Sequence, residues 1–323
     1  MKPFVTRLLR NEQAGLLLAL VLLCIVISLL SPVFFTALNI KNVLRDASLV
    51  AIAGIGMVMV ILLGEIDLSV GSTQAVAGIV AVAALNSSES VVLALVAALA
   101  CGASIGLING LLITKAKINS LIATLGTMAI LRGGGMVGTQ AVSIQGKVDS
   151  FIDIGTGYIG PVPIPVLIVF ILFALFYYGL HHMTFGRYIY AIGGNVEAAR
   201  LSGLSVDRTK ILVFVIAGML AALSAFILAS RLNSGQPNAG LGFELQVIAA
   251  VILGGISLTG GIGTLGGAFI GILILTVLSN GLVLLNVSSF YHDIARGLVI
   301  ILAVYLDTRR KESLLRRMLG SGT

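Results

Sequence analysis

The residues best suited to chemistry sit in one short stretch, Gly64-Glu65-Ile66-Asp67-Leu68-Ser69-Val70-Gly71-Ser72. Two carboxylates, two residues apart, lie there between long apolar runs. Ionised groups are costly when they face lipid, so such residues face a bundle interior, water or a partner and count as functional candidates. A carboxylate pair also suits general acid–base catalysis. No nucleophile or metal-ligand cluster accompanies it in the sequence, which leaves an enzyme reading without its third group. A plainer role competes: Asp67 or Ser69 can accept from free backbone N–H groups and cap a helix beginning at Leu68. Capping and lining a polar path are compatible.

Further polar residues lie in or beside apolar stretches: Asn109, Gln140, Asn233, Glu244 and Asn280. Each suits contact with a hydroxylated solute, and interhelical hydrogen bonding explains each equally well. The candidate lining of a solute path is therefore Glu65, Asp67, Ser69, Asn109, Asn280 and Glu244. Arg132 and Arg296 need partners inside the bundle, and Asp293, one turn before Arg296, is a natural one. His181-His182 falls at an expected membrane boundary without further ligands, so no metal site is expected. Cys24 and Cys101 read as small buried hydrophobes with no disulfide.

The elements that position these groups follow from composition. Of 323 residues, 58% are hydrophobic and 10% charged, against about a quarter charged in soluble proteins. The mean hydropathy is +1.11. An ordinary soluble enzyme is excluded. Apolar runs near 14–30, 91–113 and 211–228 reach the ~17–25 residues needed to cross a bilayer core. The expected fold is an all-α polytopic membrane protein of about ten transmembrane helices. They are placed near 14–31, 48–63, 66–85, 91–114, 118–138, 163–181, 210–230, 243–257, 264–286 and 289–306. The first is read as an uncleaved span, since no small-x-small cleavage site follows it.

The net charge of +7 reports topology and not a nucleic-acid partner. Lys2, Arg7, Arg10, Lys115, Lys117, Arg187, Arg200, Arg208, Lys210, Arg309, Arg310, Lys311, Arg316 and Arg317 fall on one side if the spans alternate. Cytoplasmic loops collect Lys and Arg, so both termini are expected in the cytoplasm. Residues 1–13 form a cytoplasmic segment, 14–307 a transmembrane domain and 308–323 a basic tail.

Between the first two spans, 36–46 alternates apolar and polar residues and is expected as a short helix on the outer membrane surface. The longest outer loop, 139–162, leads through Gly160-Pro161-Val162-Pro163-Ile164-Pro165, whose fixed φ angles predict a stiff, extended entry to the next span. The 39 glycines suit closely packed helices and helix breaks. Leu63-Gly64-Glu65-Ile66-Asp67-Leu68-Ser69-Val70-Gly71 matches Leu253-Gly254-Gly255-Ile256-Ser257-Leu258-Thr259-Gly260-Gly261 as L-G-x-I-x-L-[ST]-x-G, and Asn109-Gly110-Leu111 echoes Asn280-Gly281-Leu282. Paired glycine-interrupted, re-entrant segments point to a transport path built from repeats.

The largest inner loop contains Gly193-Gly194-Asn195-Val196-Glu197-Ala198-Ala199-Arg200-Leu201-Ser202-Gly203. Asn195 is a suitable N-cap and Gly203 a suitable left-handed stop, which predicts a short exposed helix; a solvated loop is the blander reading. The run E-A-A-x-x-x-G at Glu197, Ala198, Ala199 and Gly203 resembles the permease signature of bacterial ATP-binding-cassette (ABC) importers. Together with the Glu65–Gly71 segment, 186–195 and 254–267, it resembles the ribose-type monosaccharide branch over about residues 14–307. The broader family often carries Leu-Pro after the signature, where this chain has Ile211-Leu212-Val213-Phe214.

The resemblance implies a transmembrane permease subunit with a coupling loop at 182–209, where Asn195, Glu197, Ala198, Ala199, Arg200 and Gly203 dock on an ABC ATPase. It implies two ATPase subunits on the cytoplasmic face, a periplasmic sugar-binding protein and a second permease copy, identical or paralogous, in the bacterial inner membrane. The sequence lacks G-x-x-x-x-G-K-[ST], so this chain is expected to hold no cofactor, with ATP and Mg²⁺ on the partner ATPase. The alternative is an ion-coupled secondary transporter using Glu65 or Asp67.

Overall fold

In a computed structural model, the chain is described over residues 12–288 and at 291, 294, 297, 298, 301 and 305. Among these residues eight helices are long and apolar enough to cross a membrane. They are α1 (Glu12–Leu30), α2 (Ala37–Leu62), α3 (Val70–Ser88), α4 (Val91–Thr114), α5 (Ser120–Thr139), α7 (Ile164–His182), α10 (Val206–Leu232) and α12 (Leu265–Leu284). Shorter helices intervene: α6 (Ile152–Thr156), α8 (Thr184–Gly194), α9 (Val196–Leu201) and α11 (Phe243–Leu253). The expected span at 289–306, with Asp293 and Arg296, lies outside the described residues except at the positions named above.

Side chains set the helix starts. Thr36, Ser90, Asn119 and Thr264 each accept a backbone N–H from the first turn of the helix they precede, supplying acceptors for donors that the helix cannot satisfy internally. Glu89, Gln140 and Asn233 end helices in the left-handed conformation.

Four sequence expectations are corrected or narrowed by the structure. Residues 37–46 do not form a separate surface helix. They are the first turns of α2, a continuous 26-residue helix about 39 Å long at 1.5 Å per residue, because no breaker separates Asp46 from the apolar run. The Gly160–Pro165 stretch is extended only at β3 (Val162–Pro163), which pairs with β2 (Tyr158–Ile159) as a hairpin with Gly160 at φ +61° in the turn, and α7 begins directly at Ile164. The span expected at 243–257 contains only the 11-residue α11, roughly 16 Å long and too short for a ~30 Å core. Likewise α3 begins at Val70, not 66.

The bundle is organised around α2, α3 and α10, the most enclosed of the long helices. Helix α10 packs on α2, α3 and α4, while α12 packs on α1, α2 and α11. At the α4–α10 crossing, Gly102 and Gly218 meet backbone to backbone. A Cβ on Gly102 would lie 2.2 Å from the Gly218 carbonyl oxygen, and one on Gly106 would lie 2.1 Å from that of Phe214. Small residues allow this close approach, the mode by which helices pack where no hydrophobic drive operates between them.

Helix ends sort to two faces. Lys115, Lys117, Arg200, Arg208 and Lys210 surround one groove, which defines the basic end. At the other end the 139–162 loop is tied down by Arg45 on the Thr156 carbonyl, Asn86 on the Gln145 carbonyl, and β1 (Ile144–Gln145) paired with β4 (Ser234–Gly235).

Candidate solute passage and coupling surface

The stretch 63–69 is where α2 turns back. Gly64, at φ +76°, lets the chain reverse while its N–H bonds Ile61 and that of Glu65 bonds Val60. The following residues are not helical and climb back into the bundle. Gln74 donates to Ser224 (3.0 Å), which donates to the Leu49 carbonyl (2.9 Å). Leu49 lies 13 residues before Leu62 in α2, about 20 Å along the helix, so Gln74 sits deep within the bundle.

Extended backbone at that depth must find partners in protein, because lipid offers none. The N–H of Ile66 reaches Ser120 (3.3 Å), that of Leu68 reaches Thr124 (3.1 Å), and Thr124 returns to the Ile66 carbonyl. Asp67, 3% exposed, accepts from the N–H of Ser69 (2.8 Å) and its hydroxyl (2.6 Å). Ser69 Oγ accepts from Asn109 (2.9 Å), and Asn109 Oδ1 accepts from Thr127 (2.6 Å). These groups form a buried hydrogen-bonded chain that holds the segment.

The six residues expected along a path are thus not brought together. Asp67, Ser69 and Asn109 share the chain just described. Glu65 forms an ion pair with Lys210 at the basic end, both side chains about 85% buried. Glu244 opens α11 with Arg132 in electrostatic reach, while Arg132 donates to the carbonyls of Pro237 (3.1 Å) and Ala239 (2.7 Å). Asn280 lies at the opposite end, in a reciprocal amide pair with Asn39 (2.9 and 3.0 Å).

That last pair lines a cavity of about 560 Å³, within the ~300–1,000 Å³ of small-molecule sites. Its polar wall carries Asn39, Asn42, Asp46, Gln74, Arg231, Gln246, Thr276, Ser279 and Asn280; Leu49, Val50, Leu228, Phe243, Val283 and Leu284 supply the apolar wall. Arg231 donates to Asp46 at 2.5 Å. Most of these residues were not among the sequence candidates, though a signal existed. Asn39, Asn42, Asp46, Leu49 and Val50 follow helical spacing, as do Thr276, Ser279, Asn280 and Val283; reading 36–46 as a separate helix concealed the first stripe.

At the basic end Asn195 accepts the N–H of Ala198 (2.9 Å), and Gly203, at φ +80°, ends α9. Ala199 faces inward; Glu197, paired with Arg200 at 3.1 Å, and Leu201 face outward. The preceding helix is fixed to the bundle: the Tyr190 hydroxyl donates to Gly263 (2.9 Å) and Gly193 packs against the Leu62 carbonyl. Burial pushes the Tyr190 phenol above its ordinary pKa. The N–H of Gly261 donates to that same Leu62 carbonyl (2.8 Å), so the two L-G-x-I-x-L-[ST]-x-G stretches touch. Beside α9 a groove of about 700 Å³ carries the five cations of the basic end with Asp207, which pairs with Lys115. Among the described residues no His, Cys, Asp and Glu cluster is arranged to hold a metal, and His181 bonds the Tyr177 carbonyl.

A bundle with broken helices and a polar cavity is the architecture of a membrane permease, and the chain belongs to the family described as branched-chain amino acid transport system / permease component, which matches residues 39–304. Within it this is a ribose-type ABC importer permease for a sugar, a multi-pass inner-membrane protein. It is 46% identical to the ribose import permease protein RbsC of Escherichia coli strain K12, over 96% of this chain and 98% of that one. It is 44% identical to RbsC of Bacillus subtilis strain 168, over 93% and 94%. The L-arabinose transport system permease protein AraH of Escherichia coli strain K12 is 39% identical over 94% and 92%. No solved structure matches the chain.

Proposed function

We propose that this chain forms the passage for a monosaccharide, a pentose, hexose or related polyol, delivered by a periplasmic binding protein. Alternating access is driven by a separate ATPase, which holds ATP and Mg²⁺ and docks on α9 through Glu197, Ala198, Arg200 and neighbouring residues. A second permease copy, identical or paralogous, completes the pair, with the basic end and both termini in the cytoplasm. The relatives transporting ribose and L-arabinose support a pentose.

The observation that carries this reading is the attachment of α8, which leads directly into α9, to both broken segments, through Gly193 against Leu62 and Tyr190 on Gly263. Movement of α9 would be transmitted through α8 to the backbone of the two broken segments. The ion-coupled alternative finds less support: Glu65 is held by Lys210 and Asp67 by Ser69.

The test is co-purification. With the neighbouring ATPase co-expressed, Glu197→Lys should release it and abolish sugar uptake while the permease remains in the membrane. Failure of the unmutated chain to retain any ATPase would overturn the proposal.

A further inference from the structure

We infer that the cavity between α2, α11 and α12 is a saturable binding site for a neutral, unphosphorylated sugar ring, built within a single permease chain. This deepens the import reading and rests on it: a passage needs only to let solute through, whereas these walls are equipped to hold it.

The walls of the cavity lack hydrogen bonds that the rest of the bundle makes. Elsewhere, serine and threonine hydroxyls bond back to the carbonyl four residues earlier, as Ser48, Ser104, Thr114, Thr124 and Thr139 do. That is how a lone hydroxyl is satisfied in an apolar helix. Thr276 departs from this pattern. It is 4% exposed and belongs to the cavity wall, and its Oγ1 has no partner and is closed off from the open space by surrounding atoms. A buried polar atom left unpaired costs roughly as much as a lost hydrogen bond, so native folds rarely keep one without a use.

Its neighbours on the wall are also unpaired, and their polar atoms are open to solvent. Among the described residues the side chains of Ser279 on α12, Asn42 on α2 and Gln246 on α11 make no hydrogen bond within the fold. Three helices therefore present free hydroxyl and amide groups to one space.

The chemistry of the wall selects the ligand. Its amides and hydroxyls both donate and accept, as sugar hydroxyls do. Its one acid and one base, Asp46 and Arg231, neutralise each other, which leaves no net charge for a phosphate or carboxylate. Phe243 and Leu228 supply the apolar patch that a ring's C–H face requires. A pentose or hexose ring with bridging waters fits about 560 Å³.

The experiment uses the full-length permease in lipid nanodiscs without ATPase, and radiolabelled ribose and L-arabinose as probes. Saturable binding of at least one sugar is expected, undiminished by excess ribose 5-phosphate. Ser279→Ala and Gln246→Leu should each weaken it about tenfold, the effect of removing a hydrogen bond and stranding its partner. Retained co-purification with the ATPase verifies that each variant is folded. Asn42→Leu, on another helix, provides a third reading. Absence of saturable binding by a permease whose ATPase complex still imports sugar would overturn this inference and leave the import reading standing. Binding that none of the three substitutions alters would overturn it too. Loss of both ATPase capture and uptake by the unmutated complex would instead refute the import reading.

Discussion

The backbone N–H of Gly261 donates to the carbonyl oxygen of Leu62 at 2.8 Å, joining two stretches almost 200 residues apart in sequence. Leu62 ends α2, so its carbonyl is one of those a helix cannot satisfy by itself. The second glycine-broken stretch supplies the missing donor. Gly193, on the helix that leads to α9, closes over the same atom. Three segments with different expected duties thus share one junction.

That junction tolerates no side chain at 193, where a Cβ would stand 1.7 Å from the Leu62 oxygen. Gly193→Val should cut sugar uptake at least tenfold while the permease still captures its ATPase. Uptake in vesicles alongside ATP hydrolysis measures the coupling; normal uptake would show the junction to be dispensable.

Breaking the Glu65–Lys210 pair strands a mostly buried charge, at a cost of about 3 kcal/mol. Glu65→Gln and Lys210→Met should each lower the melting temperature in detergent. The double variant should lose less than their sum, as partners in direct contact require. Additive losses would mean that the two residues act independently.

Gly102→Leu forces α4 away from α10, since the new Cβ would stand 2.2 Å from the Gly218 oxygen. Overpacking of this kind costs about 1–3 kcal/mol, or more against backbone. Thermal unfolding should show a lower midpoint, whereas Gly126→Leu, where nothing lies within 4 Å, should be close to neutral.

Asp67→Ala removes the acceptor of both Ser69 donors, each costing about 1–3 kcal/mol when left buried and unpaired. Asp67→Asn retains an acceptor oxygen and should be the milder change. If the two variants proved equally damaging in unfolding assays, a charge-dependent role for Asp67 would be indicated instead.

Tyr190 titrates above its ordinary pKa of about 10 because burial disfavours the phenolate. A group with a raised folded pKa contributes stability that is present below its unfolded pKa and lost as pH rises through the folded one. The protein should therefore lose stability above about pH 10, and Tyr190→Phe should lessen that loss in alkaline unfolding curves.

Much of this was legible in the sequence. Hydropathy marked the long helices because bilayer thickness fixes the length of an apolar run, and the Asn195 and Gly203 caps of α9 depend only on local backbone chemistry. Element bounds failed where tertiary contacts decide them. The Thr36 cap marks a helix start locally, but Asn39, Asn42 and Asp46 look like surface residues until the facing wall of the cavity is known, so nothing local joins those turns to the apolar run that follows. Glu65 and Asp67 looked like one acidic site. The fold sends the first to Lys210 and the second to Ser69, because the chain between them has left the helix and carries Asp67 into the bundle.

Sequence by itself determined that this is a many-helix membrane permease with a short capped helix at its basic end, because residue type, run length and contiguous motifs carry that information. Only the tertiary structure decided which polar residues enclose space and which merely hold each other. A cavity is made by side chains from distant helices, and whether a hydroxyl is satisfied depends on what stands across from it. Thr276 looks like Thr114 in the sequence; Thr114 bonds its own helix, and Thr276 is left without a partner in the cavity wall.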